Sequence, residues 1–418
     1  MSWRPVEKGV EPSRVINNRV KTTCFPQGAN PFLGQAVRGV LRVSEMDVVV
    51  IGAGILGLAH AWSAAKRGHR VTVFERTRQA SGASIRNFGM VWPIGQPSGH
   101  CHQVALRSRA AWLELASEAG IWVDPCGSIH LAHRDDEWQV LQEFAALAPQ
   151  LGYDCQLLTP AEIERYTPAA RQHGLRGGLR SETELCVQPP AAIRAIPAWL
   201  SQRFGVAFHF GHTVTAVDQQ QVITASGIQK DFDRLVICSG TDGGTLFPQT
   251  IREAGLRLCK LQMLKTQAQP DGWRLGTHLA SGLTLRHYTT FAQCPGLAAL
   301  RDRISTETPE LDRYGIHVMA SQNDTAGVIL GDSHEYDAEI EPFDNELIDE
   351  LILRELRAII SLPNWSIAQR WHGYYYKYAA GPVLTAEPQP GVSMRVGAGG
   401  SGMTMSFGLA EWDWEQWQ

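Results

Sequence analysis

Residues 47–75 constrain the fold more than any other part of the chain. They contain an apolar run, the sequence Gly52-x-Gly54-x-x-Gly57, a stretch of helical periodicity, and a second apolar run that ends at Glu75. This order predicts a βαβ unit. In such a unit the first glycine permits a tight turn, the second lets a pyrophosphate approach the backbone, and the third allows close helix–strand packing.

The same stretch indicates a dinucleotide ligand. A helix N-terminus offers free N–H groups to phosphate. Glu75 follows Gly57 by 18 residues, close to the separation expected for an acid that binds a ribose hydroxyl. A turn that served packing alone would leave Glu75 unexplained. Glutamate rather than arginine disfavours NADP, but the motif does not choose among the other dinucleotides.

Bulk composition excludes several classes of protein. A chain of 418 residues suggests about two domains. Its net charge of −4 argues against a nucleic-acid partner. The apolar runs are far shorter than the about 20 residues that span a bilayer, so we expect no integral membrane segment. Eight scattered cysteines without a CxxC pair argue against disulfides and a structural zinc site. We therefore expect a cytoplasmic protein without a metal.

Residues 1–45 differ from the rest because they show no sustained hydrophobic period. We expect an N-terminal extension that is weakly ordered. Met46 directly precedes the first predicted strand and is an alternative start of the protein.

The rest of the chain alternates between two kinds of pattern. Helices are predicted at 101–119, 191–204 and 344–360 and, behind a capping box, at Thr159–Glu162. Short strands are predicted within 206–228, a buried strand at 232–240, antiparallel strands across 256–335, and a strand, glycine turn and helix from 392 onwards.

These patterns divide the chain into interleaved domains. A discontinuous nucleotide-binding domain is predicted at 46–100, 165–255 and 375–418. The intervening segments, 101–164 and 256–374, are predicted to form the substrate domain.

The chain resembles the D-amino-acid oxidase superfamily of FAD-dependent amine oxidoreductases, which includes glycine and sarcosine oxidases. The resemblance rests on the N-terminal motif, the run 83–89, the strand 235–240 and the glycine turn 397–404. It implies an α/β fold, with an FAD-binding Rossmann-like domain of the glutathione-reductase type and an inserted antiparallel-sheet α+β substrate domain.

The resemblance also implies which residues contact FAD. They are Gly52, Gly54, Ile55, Leu56, Gly57, Glu75, Arg76, Ser84, Arg86, Asn87, Val214, Gly240, Gly399, Gly400, Gly402, Met403 and Thr404. Sarcosine-oxidase-like enzymes attach the flavin through a cysteine in the segment that corresponds to 371–378. This segment contains no cysteine here, so non-covalent FAD is expected.

Three segments, 87–96, 331–336 and 399–404, resemble a narrower subfamily found with phosphonate-degradation genes and associated with N-methylated aminoethylphosphonate-type amines. The implied function is oxidation of a small primary or secondary amine, by hydride transfer to flavin N5 and hydrolysis of the imine. Oxidation of a carboxylate amine, as in glycine oxidase or D-amino-acid dehydrogenase, and non-amine FAD chemistry remain open. So do the electron acceptor, oxygen or an electron carrier, and the oligomeric state.

Such a substrate needs cationic or hydrogen-bonding groups for its anionic end. The candidates for substrate binding are Arg286, Tyr288, Tyr374 and Lys377, and the candidate catalytic residues are His334 and His372. Arg286 and Lys377 are equally compatible with solvated surface charges, and tyrosines 374–376 with ordinary strand aromatics. His317 is interpreted as a histidine at the edge of the core.

Overall fold

The computed structural model describes residues 45–337 and 340–417. Residues 1–44 lie outside the described residues. The weak order predicted for residues 1–45 and the alternative start at Met46 therefore stay predictions. The strands are β1 (Asp47–Ile51), β2 (Arg70–Glu75), β3 (Met90–Val91), β4 (Val123–Asp124), β5 (Ser128–Ala132), β6 (Cys155–Leu158), β7 (Gly177–Ser181), β8 (Leu185–Val187), β9 (Ala207–Phe210), β10 (Val214–Asp218), β11 (Gln221–Thr224), β12 (Gln229–Asp231), β13 (Arg234–Ile237), β14 (Arg257–Ala268), β15 (His278–Ala280), β16 (Met319–Gln322), β17 (Gly327–Gly331), β18 (Glu335–Asp337), β19 (Ile367–Lys377), β20 (Leu384–Gln389) and β21 (Val392–Val396).

The helices are α1 (Ile55–Lys66), α2 (His100–Ala119), α3 (Asp135–Leu151), α4 (Pro160–Ile163), α5 (Pro189–Phe204), α6 (Pro248–Glu253), α7 (Leu297–Glu307), α8 (Pro309–Arg313), α9 (Glu346–Ile359) and α10 (Gly402–Gln416). In the described part of the chain, no helix combines the length and the apolar character that crossing a membrane requires.

A six-stranded sheet carries the glycine motif. Its strand order is β20-β21-β13-β1-β2-β9, and all neighbours are parallel except β20 and β21. Helices α1, α5 and α10 pack on one face and the small sheet β10-β11-β12 on the other. Burial on both faces explains why β1 and β13 are continuous apolar runs. The carboxyl ends of the central strands therefore meet at one edge, as the predicted Rossmann-like fold requires.

A nine-stranded sheet forms the second half of the molecule. Strands β18, β14, β17, β16, β15, β5, β7 and β6 follow one another across it, and β19 pairs along β14. Its pairings are antiparallel except for β5 with β15. Helices α3, α7 and α9 bury their apolar residues against it. The predicted antiparallel-sheet domain is thus confirmed.

The predictions of individual helices hold where the hydrophobic residues keep helical spacing along the whole segment. The helices near 101, 191 and 344 are α2, α5 and α9, and the capping box at Thr159 is present. The prediction of strands throughout 256–335 is wrong for 282–313. That stretch contains a 3₁₀ helix (Gly282–Arg286), α7 and α8, because Leu297, Leu300 and Ile304 are buried at helical spacing.

Helix α2 and strand β7 each pack with a different half of the molecule from the one that the sequence predicts. The sequence predicts α2 in the substrate domain, yet Trp112 Nε1 donates to Met403 O in α10 (2.9 Å), and Ser108 Oγ accepts from the amide of Gly408 (2.7 Å). Strand β7 is predicted in the nucleotide-binding domain but pairs with β5 and β6. We propose that α2 belongs to the nucleotide-binding half and β7 to the substrate half.

Candidate active site

Two adjoining cavities lie between the two sheets. The first has a volume of about 430 Å³ and runs along the carboxyl ends of β1, β2 and β13. The second has a volume of about 380 Å³ and lies against the large sheet. They share a wall formed by Asn87, Phe88, Asp332, Tyr375, Met403 and the glycine turn 397–400.

The glycine motif forms one end of the first cavity by close backbone packing. Gly52 has a φ of +99°, and a Cβ there would lie 2.3 Å from Cys238 O. A Cβ on Gly57 would lie 1.8 Å from Gly52 O. Gly54 lines the cavity, whereas Gly57 does not. Gly57 therefore serves the packing of α1 on β1, as the third glycine of the motif is expected to do.

Two helix N-termini meet at the wall of the first cavity. Ile55 and Leu56 open α1, and Gly402 and Met403 open α10; all four line the cavity. A Cβ on Gly402 would be 3.6 Å from Ile55 Cγ2, which shows how closely the two ends approach. Both helix dipoles present their positive ends here, where a pyrophosphate and other negative charge are stabilised.

The acid at the end of β2 lies where a ribose would be recognised. Glu75 is 9% exposed and lines the first cavity. Its Oε2 accepts from the amide of Ala53 (2.9 Å), and its Oε1 accepts from the amide and the hydroxyl of Thr77 (3.0 and 2.6 Å). These bonds fix the carboxylate, and Oε2 keeps a further lone pair for a hydroxyl donor.

The neighbouring predicted residues also lie on the first cavity. Arg76 pairs with Asp242 (3.2 Å), and Val214 and Gly240 line the cavity near it. Ser84 Oγ accepts from the amide of Ile55 (2.9 Å) and so joins the segment after β2 to the start of α1.

The segment that follows Ser84 is held by its own hydrogen bonds. Asn87 Nδ2 donates to Ala83 O (3.0 Å), its Oδ1 accepts from the amide of Gly89 (2.8 Å), and Arg86 donates to His372 O (3.3 Å). Arg86 and Asn87 both line the first cavity. The backbone at the two helix N-termini and the polar residues around it fit a dinucleotide.

The second glycine turn separates the cavities. Gly399 and Gly400 line both of them. Thr404, also predicted as a cofactor contact, lies only on the second cavity, where its Oγ1 accepts from the amide of Trp92 (2.9 Å). Thr404 thus holds the Trp92 segment in place, and its contact with the cofactor stays a prediction.

Three of the six predicted substrate-binding or catalytic residues line the second cavity: His334, Tyr288 and Lys377. Lys377 Nζ lies 3.4 Å from the hydroxyl of Tyr336. Tyr374 lines the first cavity instead.

His372 and Arg286 line neither cavity, so the structure does not bring them together with the other predicted residues. Side chains alternate between the faces of a strand, and Tyr375 and Lys377 of β19 reach the second cavity, so His372 lies on the opposite face. Its Nδ1 is 2.7 Å from Asp344 Oδ1. Arg286 ends a 3₁₀ helix rather than lying in a strand, and it donates to Ile316 O (2.8 Å).

Three histidines meet at the second cavity, which the sequence does not reveal. His287, His317 and His334 each offer one ring nitrogen, and these three atoms lie within 4.8 Å of one another. Asp332 adjoins them, with Oδ1 3.3 Å from His317 Nδ1 and Oδ2 3.8 Å from His334 Nε2. These residues are spread over 48 positions of the chain, so no local spacing signals their contact, and His317 reads as a core-edge residue.

Burial sets the charge of this cluster. It lowers the pKa of His334 to about 4 and that of His317 well below its ordinary value. It also raises the pKa of Asp332 well above the usual range of a carboxyl group. The His317 and His334 imidazoles are therefore neutral near pH 7.

Comparison with known proteins places the chain in a family. The family model described as "FAD dependent oxidoreductase" matches residues 47–412. The glycine oxidase of Geobacillus kaustophilus is 31% identical over 141 residues, 32% of this chain and 37% of that protein. The D-amino acid dehydrogenase of Helicobacter pylori is 42% identical over 62 residues, 15% of this chain and 15% of that protein.

Among solved structures, glycine oxidase from Bacillus cereus has a TM-score of 0.70 at 17% identity, covering 90% of this chain and 96% of that chain. At this identity the likeness shows a shared fold. The match to the Geobacillus protein spans well under two thirds of its length. The family model, in contrast, covers both cavities and both sheets. The chain therefore belongs to the family of FAD-dependent oxidoreductases, and FAD is its cofactor.

Proposed function

We propose that the protein oxidises a small primary or secondary amine that carries an anionic group, with FAD in the first cavity and the amine in the second. The observation that carries this proposal is the wall that the two cavities share. A molecule in the second cavity is separated from the first only by this wall. Its reacting carbon would therefore lie next to the cofactor.

The position of Glu75 supports one orientation of the cofactor. An acid at the end of the second strand binds the adenosine ribose. Glu75, Arg76 and Val214 would then hold the adenosine half, and the flavin half would reach the glycine turn 397–400. The N-terminus of α10 at this turn would stabilise negative charge on the flavin.

Bound FAD would accept a hydride from the carbon next to the amine nitrogen. The chain's own side chains would hold the amine in place. Lys377 presents a cation to the second cavity, and the Tyr288 hydroxyl adds a hydrogen-bonding group. Phe88, Met90 and Trp92 give the cavity apolar walls, which favour an uncharged amine. His334 completes the set of residues on the substrate side.

Within this class we propose an N-methylated aminophosphonate, such as N-methyl-2-aminoethylphosphonate. The segments 87–96, 331–336 and 399–404, which carry the resemblance to the phosphonate-associated subfamily, all contribute residues to the second cavity. Lys377 suits a phosphonate group, and it suits a carboxylate as well. The similarity to glycine oxidase favours a carboxylate amine as the alternative.

Anaerobic reduction of the bound flavin tests the proposal. The protein is mixed with N-methyl-2-aminoethylphosphonate, 2-aminoethylphosphonate, sarcosine, glycine and D-alanine, and with N-methylpropylamine as a control that lacks an anion. We expect the phosphonate amines to bleach the flavin absorbance fastest. Reduction by carboxylate amines alone would overturn the phosphonate substrate, and reduction by none would overturn amine oxidation. Reoxidation in air then separates oxygen from another electron acceptor.

A further inference from the structure

The three-histidine cluster of the second cavity has the composition of a metal site, although the cysteine pattern of the sequence predicts none. The ring centroids of His287 and His317 are 3.8 Å apart, those of His287 and His334 4.6 Å, and those of His317 and His334 4.8 Å. The three residues come from separate segments: the end of the 3₁₀ helix, the residues before β16, and the β17–β18 connection. The fold, rather than a local motif, brings them together.

Asp332 adds a carboxylate to the cluster. It is 6% exposed and approaches both His317 and His334. Within the described residues, neither the ring nitrogens of His317 nor Oδ1 of Asp332 make a hydrogen bond of normal geometry, although Oδ1 lies 3.3 Å from His317 Nδ1. Buried polar atoms are nearly always satisfied. The concentration of such atoms at one point indicates a ligand that satisfies several of them together.

We propose that His287, His317 and His334 bind one divalent transition-metal ion, with Asp332 beside two of these ligands. Three imidazoles with an open fourth position suit borderline ions such as Zn²⁺ and Co²⁺, and a carboxylate next to metal-bound histidines commonly orients them. Zinc–nitrogen bonds are about 2.0–2.1 Å long and the coordination is tetrahedral, so two ligand atoms on one ion are about 3.4 Å apart. The histidine ligand atoms lie within 4.8 Å of one another, and small side-chain rotations would close the site.

The surroundings of His334 support this assignment. Its Nδ1 lies 3.4 Å from Gly315 O, a contact in which Nδ1–H donates and Nε2 is left for the cluster. Metal-bound histidines are commonly oriented by such a contact. Gly315 has a φ of +55°, and a Cβ there would be 2.7 Å from His334 O and 2.9 Å from His334 Cβ. The absence of a side chain at Gly315 thus lets its loop pack behind His334.

The site would open toward the substrate. His287, His317, His334 and Asp332 all line the second cavity. A consequence, which rests on the proposed function, is that an anionic group of the substrate binds the ion as well as Lys377. The ion would then fix the distance between that group and the shared wall.

Metal stoichiometry tests the proposal independently of catalysis. The tag-free, FAD-loaded protein is treated with chelator, dialysed against micromolar Zn²⁺ or Co²⁺, and assayed for metal by mass spectrometry and for binding by calorimetry. We expect about one ion per chain. We expect His317→Ala and Asp332→Asn to lower the affinity at least about tenfold, while His372→Ala, a partly exposed histidine outside the cluster, binds as the wild type does.

Flavin content and the circular dichroism spectrum show whether each variant is folded. If a variant does not fold, the wild-type measurement alone decides. Failure of the chelated wild type to bind either ion, or equal binding by wild type and folded variants, would overturn the metal site. Anaerobic flavin reduction by amines is measured separately, so loss of the metal proposal and loss of the proposed function give different results.

Discussion

The two cavities differ in how they are built. The first brings together the N-termini of α1 and α10, each preceded by a glycine turn. The second is formed by side chains from α2, β16, β19 and the loops between them. Backbone N–H groups at helix N-termini bind phosphate largely independently of the side chains around them, whereas a site made of side chains changes its chemistry with each substitution. The first cavity is therefore suited to the pyrophosphate of one constant cofactor, and the chemistry of the second depends on its individual side chains.

The largest effect is expected at the glycine motif. Gly57→Ala places a Cβ 1.8 Å from Gly52 O. Overpacking of this severity costs about 3 kcal/mol or more, so we expect a protein that binds little FAD and unfolds at lower temperature. Gly244→Ala is the matched control, because the exposed Gly244 has, like Gly57, no positive φ, and no atom lies within 4 Å of the added Cβ. Normal FAD content in Gly57→Ala would contradict the packing role.

Removal of the cation from the second cavity should affect substrate binding and not the cofactor. A hydrogen bond to a charged group contributes about 1.5–3 kcal/mol. We therefore expect Lys377→Gln to raise KM for the anionic amine by about 10- to 100-fold at unchanged FAD content. Lys230→Gln, on the surface of β12 and outside both cavities, is the control. An unchanged KM in Lys377→Gln would mean that the anion binds elsewhere.

Acid should destabilise both halves alike. Burial lowers the pKa of His60, in α1, to about 4 and that of His130, in β5, to about 3. The unfolded chain, with an ordinary histidine pKa of about 6.5, binds more protons below that pH. The stability is therefore complete above pH 6.5 and falls toward the folded-state values, by about 2 kcal/mol per histidine at pH 5.

Urea unfolding at pH 7 and pH 5 measures this loss. We expect His60→Gln to lose about 2 kcal/mol less than the wild type between these values. The exposed His173→Gln serves as the control and should behave as the wild type does. Identical losses in His60→Gln and wild type would show that His60 is not held neutral by the fold.

The smallest effect separates the two histidines that the sequence analysis names as candidate catalytic residues. His334 lines the second cavity and His372 does not. We expect His334→Asn to lower kcat/KM about tenfold, close to 1.4 kcal/mol, and His372→Asn to leave it within about twofold. A larger loss in His372→Asn would contradict the assignment of the β19 faces.

Some features of the two cavities follow from local sequence patterns, and others depend on tertiary packing. The βαβ unit, Glu75 and the turn near Gly400 are local patterns whose spacing is set by backbone geometry, and they lie where the sequence predicts them. Lys377 and His372 differ in the face of β19 that each occupies, which depends on strand register. The contact of His287 with His317 and His334 arises from tertiary packing, for which local spacing carries no signal.

A crystal structure of the FAD complex with a non-oxidisable aminophosphonate would locate the cofactor and the substrate together. We expect the pyrophosphate at the N-termini of α1 and α10, the flavin ring at the glycine turn 397–400, and the analogue in the second cavity with its anionic group near Lys377. An analogue bound outside the second cavity, or a flavin ring remote from the shared wall, would contradict this arrangement.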